Sequence, residues 1–189
     1  TTSSISVSPT STTNYTVTGT SNGCSNTQVT NVVVNNAPTV SVNSATICSG
    51  SSANLIASGA TTYSWDSGAT TSSISVSPTS TTNYTVTGTS NGCSSSQVTS
   101  VNVNTTPTVT VNSATICSGS SANLTVSGAT TYSWNSGATT SSISVSPSTA
   151  TNYTVTGTSN GCTNTKVASV SVNTTPTVAV NSATICSGN

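Results

Sequence analysis

The chain repeats itself at a fixed step, and this limits what it can fold into. The segment TTSSISVSP begins at Thr1, Thr70 and Thr139, so both steps (70 − 1 and 139 − 70) are 69 residues. The cysteines keep the same step: Cys24, Cys93 and Cys162 form one series, and Cys48, Cys117 and Cys186 the other. A solenoid repeat usually runs about 20–50 residues, so this period is too long for one, yet it suffices for a small domain with a marginal core of its own. The chain therefore reads as beads on a string.

Pro38, Pro107 and Pro176 each stand between two strand-like runs and set the phase of the beads. One bead is expected over 38–106 and the next over 107–175, with 1–37 the back half of a preceding bead and 176–189 the start of a further one. The two end pieces do not add up to a whole bead, because the counterparts of 52–69, including the Trp strand, are missing. Together with a start at Thr1 rather than Met, this leads us to expect a polypeptide that continues in both directions.

Within 38–106 the apolar residues alternate with polar ones in short runs. Strands are expected at Thr39–Asn43, Ala53–Ala57, Tyr63–Trp65, Ser73–Ser77, Asn83–Thr89 and Gln97–Asn104. Turn residues separate them: Ser49-Gly50, Asp66-Ser67-Gly68, Pro78 and Ser90-Asn91-Gly92. Val98 breaks the alternation set by Val101 and Val103, which predicts a bulge near Thr99-Ser100. No stretch carries the 3.6-residue period of an amphipathic helix. Short strands with turn signals every 8–12 residues indicate a sandwich or barrel. The expected core is Val40, Val42, Leu55, Tyr63, Trp65, Ile74, Val76, Tyr84, Val86, Val101 and Val103, with Tyr132, Trp134 and Tyr153 as the aromatic counterparts in the next bead. That is a thin core for a bead of this size. Each buried side chain contributes about 1.5–3 kcal/mol against roughly 1–2 kcal/mol of backbone entropy per ordered residue.

Composition then removes whole classes of function. Ser and Thr make up about half the chain, while Lys166 and Asp66 are its only charged side chains and His is absent. General acid–base catalysis needs tunable ionisable groups, and two charged residues cannot furnish a site in every repeat, so no enzyme and no cofactor are expected. Calcium needs several carboxylate oxygens per ion, and nucleic acid needs a basic patch. Neither is provided for. No apolar run reaches the length of a membrane span, and no signal peptide is recognisable.

The frame ICSG…YSW-[DN]-SGATTSSISVSP…NYTVTGTSNGC resembles the immunoglobulin-like and SprB-type repeats of very large secreted Bacteroidetes surface proteins. Those are cargo of the type IX secretion system, and several serve gliding or adhesion. The resemblance covers the whole chain. It implies an all-β tandem array of small immunoglobulin-like sandwiches with Trp65 and Trp134 in their cores, and export to the cell surface. In immunoglobulin domains a Cys follows the corner Tyr by two residues. Here Thr85-Val86 follow Tyr84 and the cysteine comes only at position 93, so the inter-sheet disulfide does not carry over.

Two cysteines per bead, in an uncharged exported-looking chain, read as disulfides; the CxxC or His spacings that zinc favours are absent. The favoured pairing is local, Cys48–Cys93 and Cys117–Cys162, with Cys24 and Cys186 bonded outside the window, because a small bead gains most from an internal staple. The alternative depends on topology. An extra strand hidden in Gly68–Thr71 would place the two turns about 20 Å apart, too far for a bond, and Cys48 would then approach Cys162 of the next bead.

Other features have plain readings. Thr85, Thr87 and Thr89 form an outward row, repeated at Thr16, Thr18, Thr20 and at Thr154, Thr156, Thr158; such rows suit a solvated β face and also the flat surface of an ice binder. Tyr63 and Trp65, two apart on a core-facing strand, read as packing rather than a sugar platform. The sequons at Asn14, Asn83, Asn104, Asn123, Asn152 and Asn173 are expected by chance in so Asn- and Thr-rich a chain. Lys166 is Gln28 and Gln97 in the other copies, which excludes a repeated isopeptide bond. Uncharged strand edges favour pairing between molecules. The reading is thus a cell-surface stalk or filament whose partners are its own neighbouring repeats, with lateral self-association into fibres. The rivals are a binding array for glycans, ice or surfaces, and a spacer of a secreted enzyme.

Overall fold

The computed structural model describes residues 3–188. Thr1, Thr2 and Asn189, the outermost positions of the two partial repeats, lie outside the described residues. The chain divides into two compact units, Thr1–Val103 and Asn104–Asn189. Every regular element among the described residues is a β-strand.

The first unit opens with a hairpin, β1 (Thr13–Ser21) and β2 (Cys24–Val32), paired antiparallel. A complete set of seven strands follows: β3 (Ser41–Val42), β4 (Ala45–Cys48), β5 (Ala53–Ser58), β6 (Thr62–Trp65), β7 (Ser73–Val76), β8 (Thr82–Ser90) and β9 (Cys93–Asn104). They form a three-stranded sheet in the order β3-β5-β7 and a four-stranded sheet in the order β4-β9-β8-β6. The second unit repeats this with β10 (Thr110–Val111), β11 (Ala114–Cys117), β12 (Ala122–Ser127), β13 (Thr131–Trp134), β14 (Ser142–Val145), β15 (Thr151–Ser159) and β16 (Cys162–Asn173). Its sheets run β10-β12-β14 and β11-β16-β15-β13. Two sheets of this order, with strands crossing between them and the first strand shared by both, make an immunoglobulin-like sandwich. The fold is all-β, a tandem array of such sandwiches. Residues 176–188 form no strand, and Val178 is exposed where its counterpart Val109 is fully buried.

Strict alternation builds the cores. In β5 the side chains of Ala53, Leu55 and Ala57 point inward while Asn54, Ile56 and Ser58 face out. Leu55, Trp65, Ile74, Val86 and Val101 join them with Val40, and Tyr63, Tyr84, Val42 and Val76 pack at the margin. The second core matches, around Val109, Leu124, Trp134, Val155 and Val170, with Tyr132 and Tyr153 beside it. Each Trp also has its indole N–H satisfied: Trp65 Nε1 donates to the Thr71 carbonyl and Trp134 Nε1 to that of Thr140, both at 2.9 Å.

Two expectations fail for local reasons. The bulge at Thr99-Ser100 is absent, because β8 and β9 pair without a break from Thr82↔Val101 to Ser90↔Cys93. The inward position is filled by Thr99, whose hydroxyl donates to the Asn43 carbonyl at 2.8 Å, and Val98 faces solvent. Threonine and valine have nearly the same shape, so hydropathy misplaced the face. The second failure is the strand Ala45–Cys48, a segment to which the sequence reading assigned no strand. An extra strand does exist, but here and not in Gly68–Thr71, which forms none.

That strand arises from a switch between sheets. The chain leaves β10 at Val111 and enters β11 at Ala114, in the opposite sheet. Asn112 covers the gap: its amide NH₂ donates to the Asn123 carbonyl at 3.0 Å and its Oδ1 accepts from Thr125 N–H at 2.6 Å. A side-chain amide thus continues the β10–β12 ladder after the backbone has left it. Asn43 does the same toward Asn54 and Ile56 in the first unit.

Candidate functional site

The chemistry-bearing side chains of this chain are its cysteines, and they sit at the two ends of each sandwich. β11 pairs parallel with β16, in the register Ala114↔Val170, Thr115↔Ser171, Ile116↔Val172 and Cys117↔Asn173. Cys117 therefore lies at the end where β16 finishes, and Ser118 N–H caps the Asn173 carbonyl at 2.9 Å. Cys162 opens β16 at the far end. Asn173 is 11 residues beyond Cys162 (173 − 162), which at about 3.3 Å per residue is about 36 Å. Disulfide-bonded Cα atoms lie within about 7 Å.

The expected local pairs consequently do not form. Cys93 and Cys117 carry free thiols, as do Cys24 and Cys186. Cys48 and Cys162 are disulfide-bonded. β4 occupies the same place beside β9 that β11 occupies beside β16, so Cys48 and Cys93 stand at opposite ends of their sandwich too.

The end that carries Cys162 is where the chain enters the second unit. Asn104 Nδ2 donates to the Asn160 carbonyl at 2.8 Å, and the Asn104 carbonyl oxygen lies 3.8 Å from Cys162 Sγ. Asn164 Nδ2 donates to the Pro107 carbonyl at 3.0 Å. The first unit repeats the arrangement: Asn35 Nδ2 donates to the Asn91 carbonyl at 3.0 Å, and the Cys93 thiol donates to the Asn35 carbonyl at 3.4 Å. The tight turns at this end are Asn-Gly pairs in the left-handed region, Asn91 at φ 50° with Gly92 at 78°, and Asn160 at 49° with Gly161 at 78°. This is the two-residue connection that suits the twist of a hairpin.

The remaining candidates have structural partners. Asp66 Oδ2 accepts from Thr85 N–H at 2.8 Å, and Asn135 Oδ1 accepts from Thr154 N–H at 3.2 Å in the other unit. The one acid therefore does what an uncharged amide does in the next copy. The Thr rows lie outward on β8 and β15, and their hydroxyls bond sideways: Thr87 with Ser96 and Thr89 with Ser94, both at 2.8 Å. A cavity of about 470 Å³ is lined by Ile5, Tyr15, Val17 and neighbouring Ser and Thr residues. Val17 is 65% exposed, whereas its counterparts Val86 and Val155 are fully buried under the facing sheet. The cavity lies on the face of β1 whose counterparts on β8 and β15 line the sandwich cores. Among the described residues no three of His, Cys, Asp or Glu come together as metal ligands, and no helix is long and apolar enough to cross a membrane.

No protein-family model and no curated protein matches this chain. Among solved structures it is similar to tandem immunoglobulin domains. A three-immunoglobulin-domain fragment of titin, an E-to-A mutated variant, is 13% identical over 86% of this chain and 75% of its own length, with a TM-score of 0.47. The titin Z1Z2 domains in complex with telethonin are 16% identical over 76% of this chain and 100% of theirs, at 0.33. Sidekick-1 immunoglobulin domains 1–5 are 16% identical over 88% of this chain and 47% of theirs, at 0.32.

Proposed function

We propose that this chain is a length of a non-catalytic extracellular stalk or filament, built from near-identical sandwich beads and held by disulfides. The observation that carries the reading is polarity. In the second unit the chain enters beside Cys162 and leaves after Asn173, at opposite ends of the longest strand. A bead threaded in this way adds its full length to an array, about 36 Å for eleven strand steps. Tension on the two ends pulls β11 and β16 past each other, so the bonds of their parallel register are loaded together rather than one at a time. Near-identical copies suit a part whose task is length. The resemblance to type IX-secreted surface repeats supports a place at the cell surface. Uncharged sheet edges at β3, β7, β4 and β6 support lateral bundling.

The test is cryo-electron microscopy of native material with and without chelator. The reading expects regular filaments with an axial repeat of about 30–40 Å that ignore the chelator, and their cross-section would show whether chains bundle. Flexible single strings presenting the Thr rows would instead indicate a binding array for glycans, ice or surfaces. Beads tethered to a larger globular domain would indicate a spacer of a secreted enzyme. Either would overturn the stalk.

A further inference from the structure

We infer that copies of this chain join side by side through the open edge of β7, and of β14 in the second unit, each edge pairing antiparallel with the same edge of a second copy. The role of this contact rests on the stalk reading, whose chains it bundles; the pairing itself does not.

Register shows which backbone groups of β7 are spare. Leu55 lies opposite Ile74, and Ala57 N–H donates to the Ser72 carbonyl at 2.8 Å. Bonded and non-bonded pairs alternate along an antiparallel ladder, so Ser72, Ile74 and Val76 turn their backbone groups toward β5, while Ser73 and Ser75 turn theirs outward. The Ser73 carbonyl accepts from the Thr71 hydroxyl at 2.6 Å. The Ser73 N–H and both backbone groups of Ser75 have no partner among the described residues. β14 is built alike: Val126 N–H donates to the Ser141 carbonyl at 2.9 Å, and the Thr140 hydroxyl to that of Ser142 at 2.6 Å. That leaves the Ser142 N–H and both groups of Ser144 spare.

The other edges of the first sandwich are short or occupied. β3 is two residues long. At β6 the following turn takes both groups of Trp65, whose N–H donates to the Ala69 carbonyl at 2.8 Å and whose carbonyl accepts from Gly68 N–H at 2.9 Å. β4 closes on Cys48, which is disulfide-bonded and whose carbonyl accepts from Ser51 N–H at 2.9 Å.

The β7 edge is its own complement, which makes a second copy its partner. With Ser75 opposite Ser75 of the second copy across a two-fold axis, each N–H donates to the other's carbonyl, and each Ser73 N–H meets the Ser77 carbonyl across the pair. The side chains that meet are small and uncharged, from the run Ser-Ser-Ile-Ser-Val-Ser at 72–77, repeated at 141–146. Edges are ordinarily guarded by charge, proline or a bulge. Here the charged residues are Asp66 and Lys166, neither on these strands, and proline comes only after them, at Pro78 and Pro147. Ile74 stays buried in its own core, so pairing requires no opening of the sandwich.

The experiment is sedimentation velocity of the full chain over a concentration series, with the thiols kept reduced so that no disulfide joins two chains. The expected result is a sedimentation coefficient that rises with concentration. Ser75→Pro together with Ser144→Pro removes a spare N–H from each edge and leaves the ladders to β5 and β12 intact. It should weaken association by about tenfold or more, the loss expected for one or two hydrogen bonds. Thr46→Pro with Thr115→Pro is the matching change on the other sheet: Ser118 N–H reaches the Asn173 carbonyl, which turns Thr115 away from β16. That variant should associate as the unaltered chain does. Residue-resolved amide exchange of the unaltered chain gives a readout that survives if a proline variant misfolds: the N–H groups of Ser73, Ser75, Ser142 and Ser144 should gain protection as concentration rises. A chain that stays monomeric throughout, equal loss in both variants, or protection at Thr46 in place of Ser75 would overturn the inference. Filaments held by another contact could still be present in that case, so the stalk reading fails separately, on the microscopy.

Discussion

Cys117 closes β11 directly opposite Asn173, so the parallel pairing of β11 with β16 holds this cysteine at one end of the sandwich while Cys162 stands at the other. The cause is the return of the chain between β13 and β14, which run in the same direction, β13 antiparallel to β15 and β14 antiparallel to β12. Had the strands alternated in direction without this return, the turn after β11 would have lain beside the β15–β16 turn, and an internal staple would have been in reach. The return turns a bead that could be stapled to itself into one with a cysteine at each end.

The switch of the first strand from one sheet to the other depends on Asn112, which makes one donor and one acceptor bond to β12 where the backbone makes none. Asn112→Ala should destabilise the second bead by about 1–3 kcal/mol, two hydrogen bonds at roughly 0.5–1.5 kcal/mol each. Urea unfolding followed by tryptophan fluorescence measures it. Asn43→Ala should cost the first bead a similar amount, and the double variant should show the sum, because distant independent sites add. A loss under 0.3 kcal/mol would mean that water replaces the amide without penalty.

Gly157 lies under Val109 with no room to spare. A Cβ there would stand 2.5 Å from Val109 Cγ2 and 2.7 Å from Ala129 Cβ. Gly157→Ala should therefore cost about 1–3 kcal/mol by overpacking. Val109→Ala removes the opposing methyl groups and leaves a cavity when made alone. The two together should be less harmful than the sum of the singles, by at least 0.5 kcal/mol in a double-mutant cycle. Strict additivity would place the strain elsewhere, in the β15 backbone.

The parts of this fold legible in the sequence are those where hydropathy and backbone geometry agree. Leu55 and Trp65 are apolar and inward, and Asn91-Gly92 carries the left-handed φ values its turn requires. The illegible parts are those where the two diverge. Thr99 and Val98 differ little in shape, and only the uninterrupted register shows that the threonine points inward and the valine outward. β4 begins two residues after β3 ends (Ala45 after Asn43-Ser44), a gap too short to suggest a change of sheet. The separation of the cysteines was hidden by the return between β6 and β7, which run the same way and are joined by residues that form no strand. The spacing allowed both pairings, and only the strand's direction chooses between them.

Asp66 offers a test of whether charge matters at all. Its carboxylate accepts one backbone N–H, as the Asn135 amide oxygen does in the other copy. Asp66→Asn should thus change stability by less than about 0.5 kcal/mol, while Asp66→Ala, which loses the acceptor, should cost about 0.5–1.5 kcal/mol. Stability should also be flat between about pH 5 and 7, since pH dependence requires a difference in bound protons between folded and unfolded states and the chain has no histidine. Unfolding curves at the two pH values should superimpose. A slope would point to a coupling that no residue in the structure explains.

The last prediction concerns whether the beads unfold singly. Each unit has its own core with one buried tryptophan, Trp65 in the first and Trp134 in the second. Leu124 is fully buried among Val109, Val126, Trp134 and Val155, so Leu124→Ala should cost the second core about 2–5 kcal/mol. A domain of this size commonly holds only about 0.05–0.15 kcal/mol per residue, so such a loss removes much of the stability of one bead. With the thiols kept reduced, the fluorescence change in urea should split into two steps. Trp134 should report the earlier step, and Trp65 the later one at the midpoint of the unaltered chain. A single transition would show instead that the two cores unfold as one cooperative body.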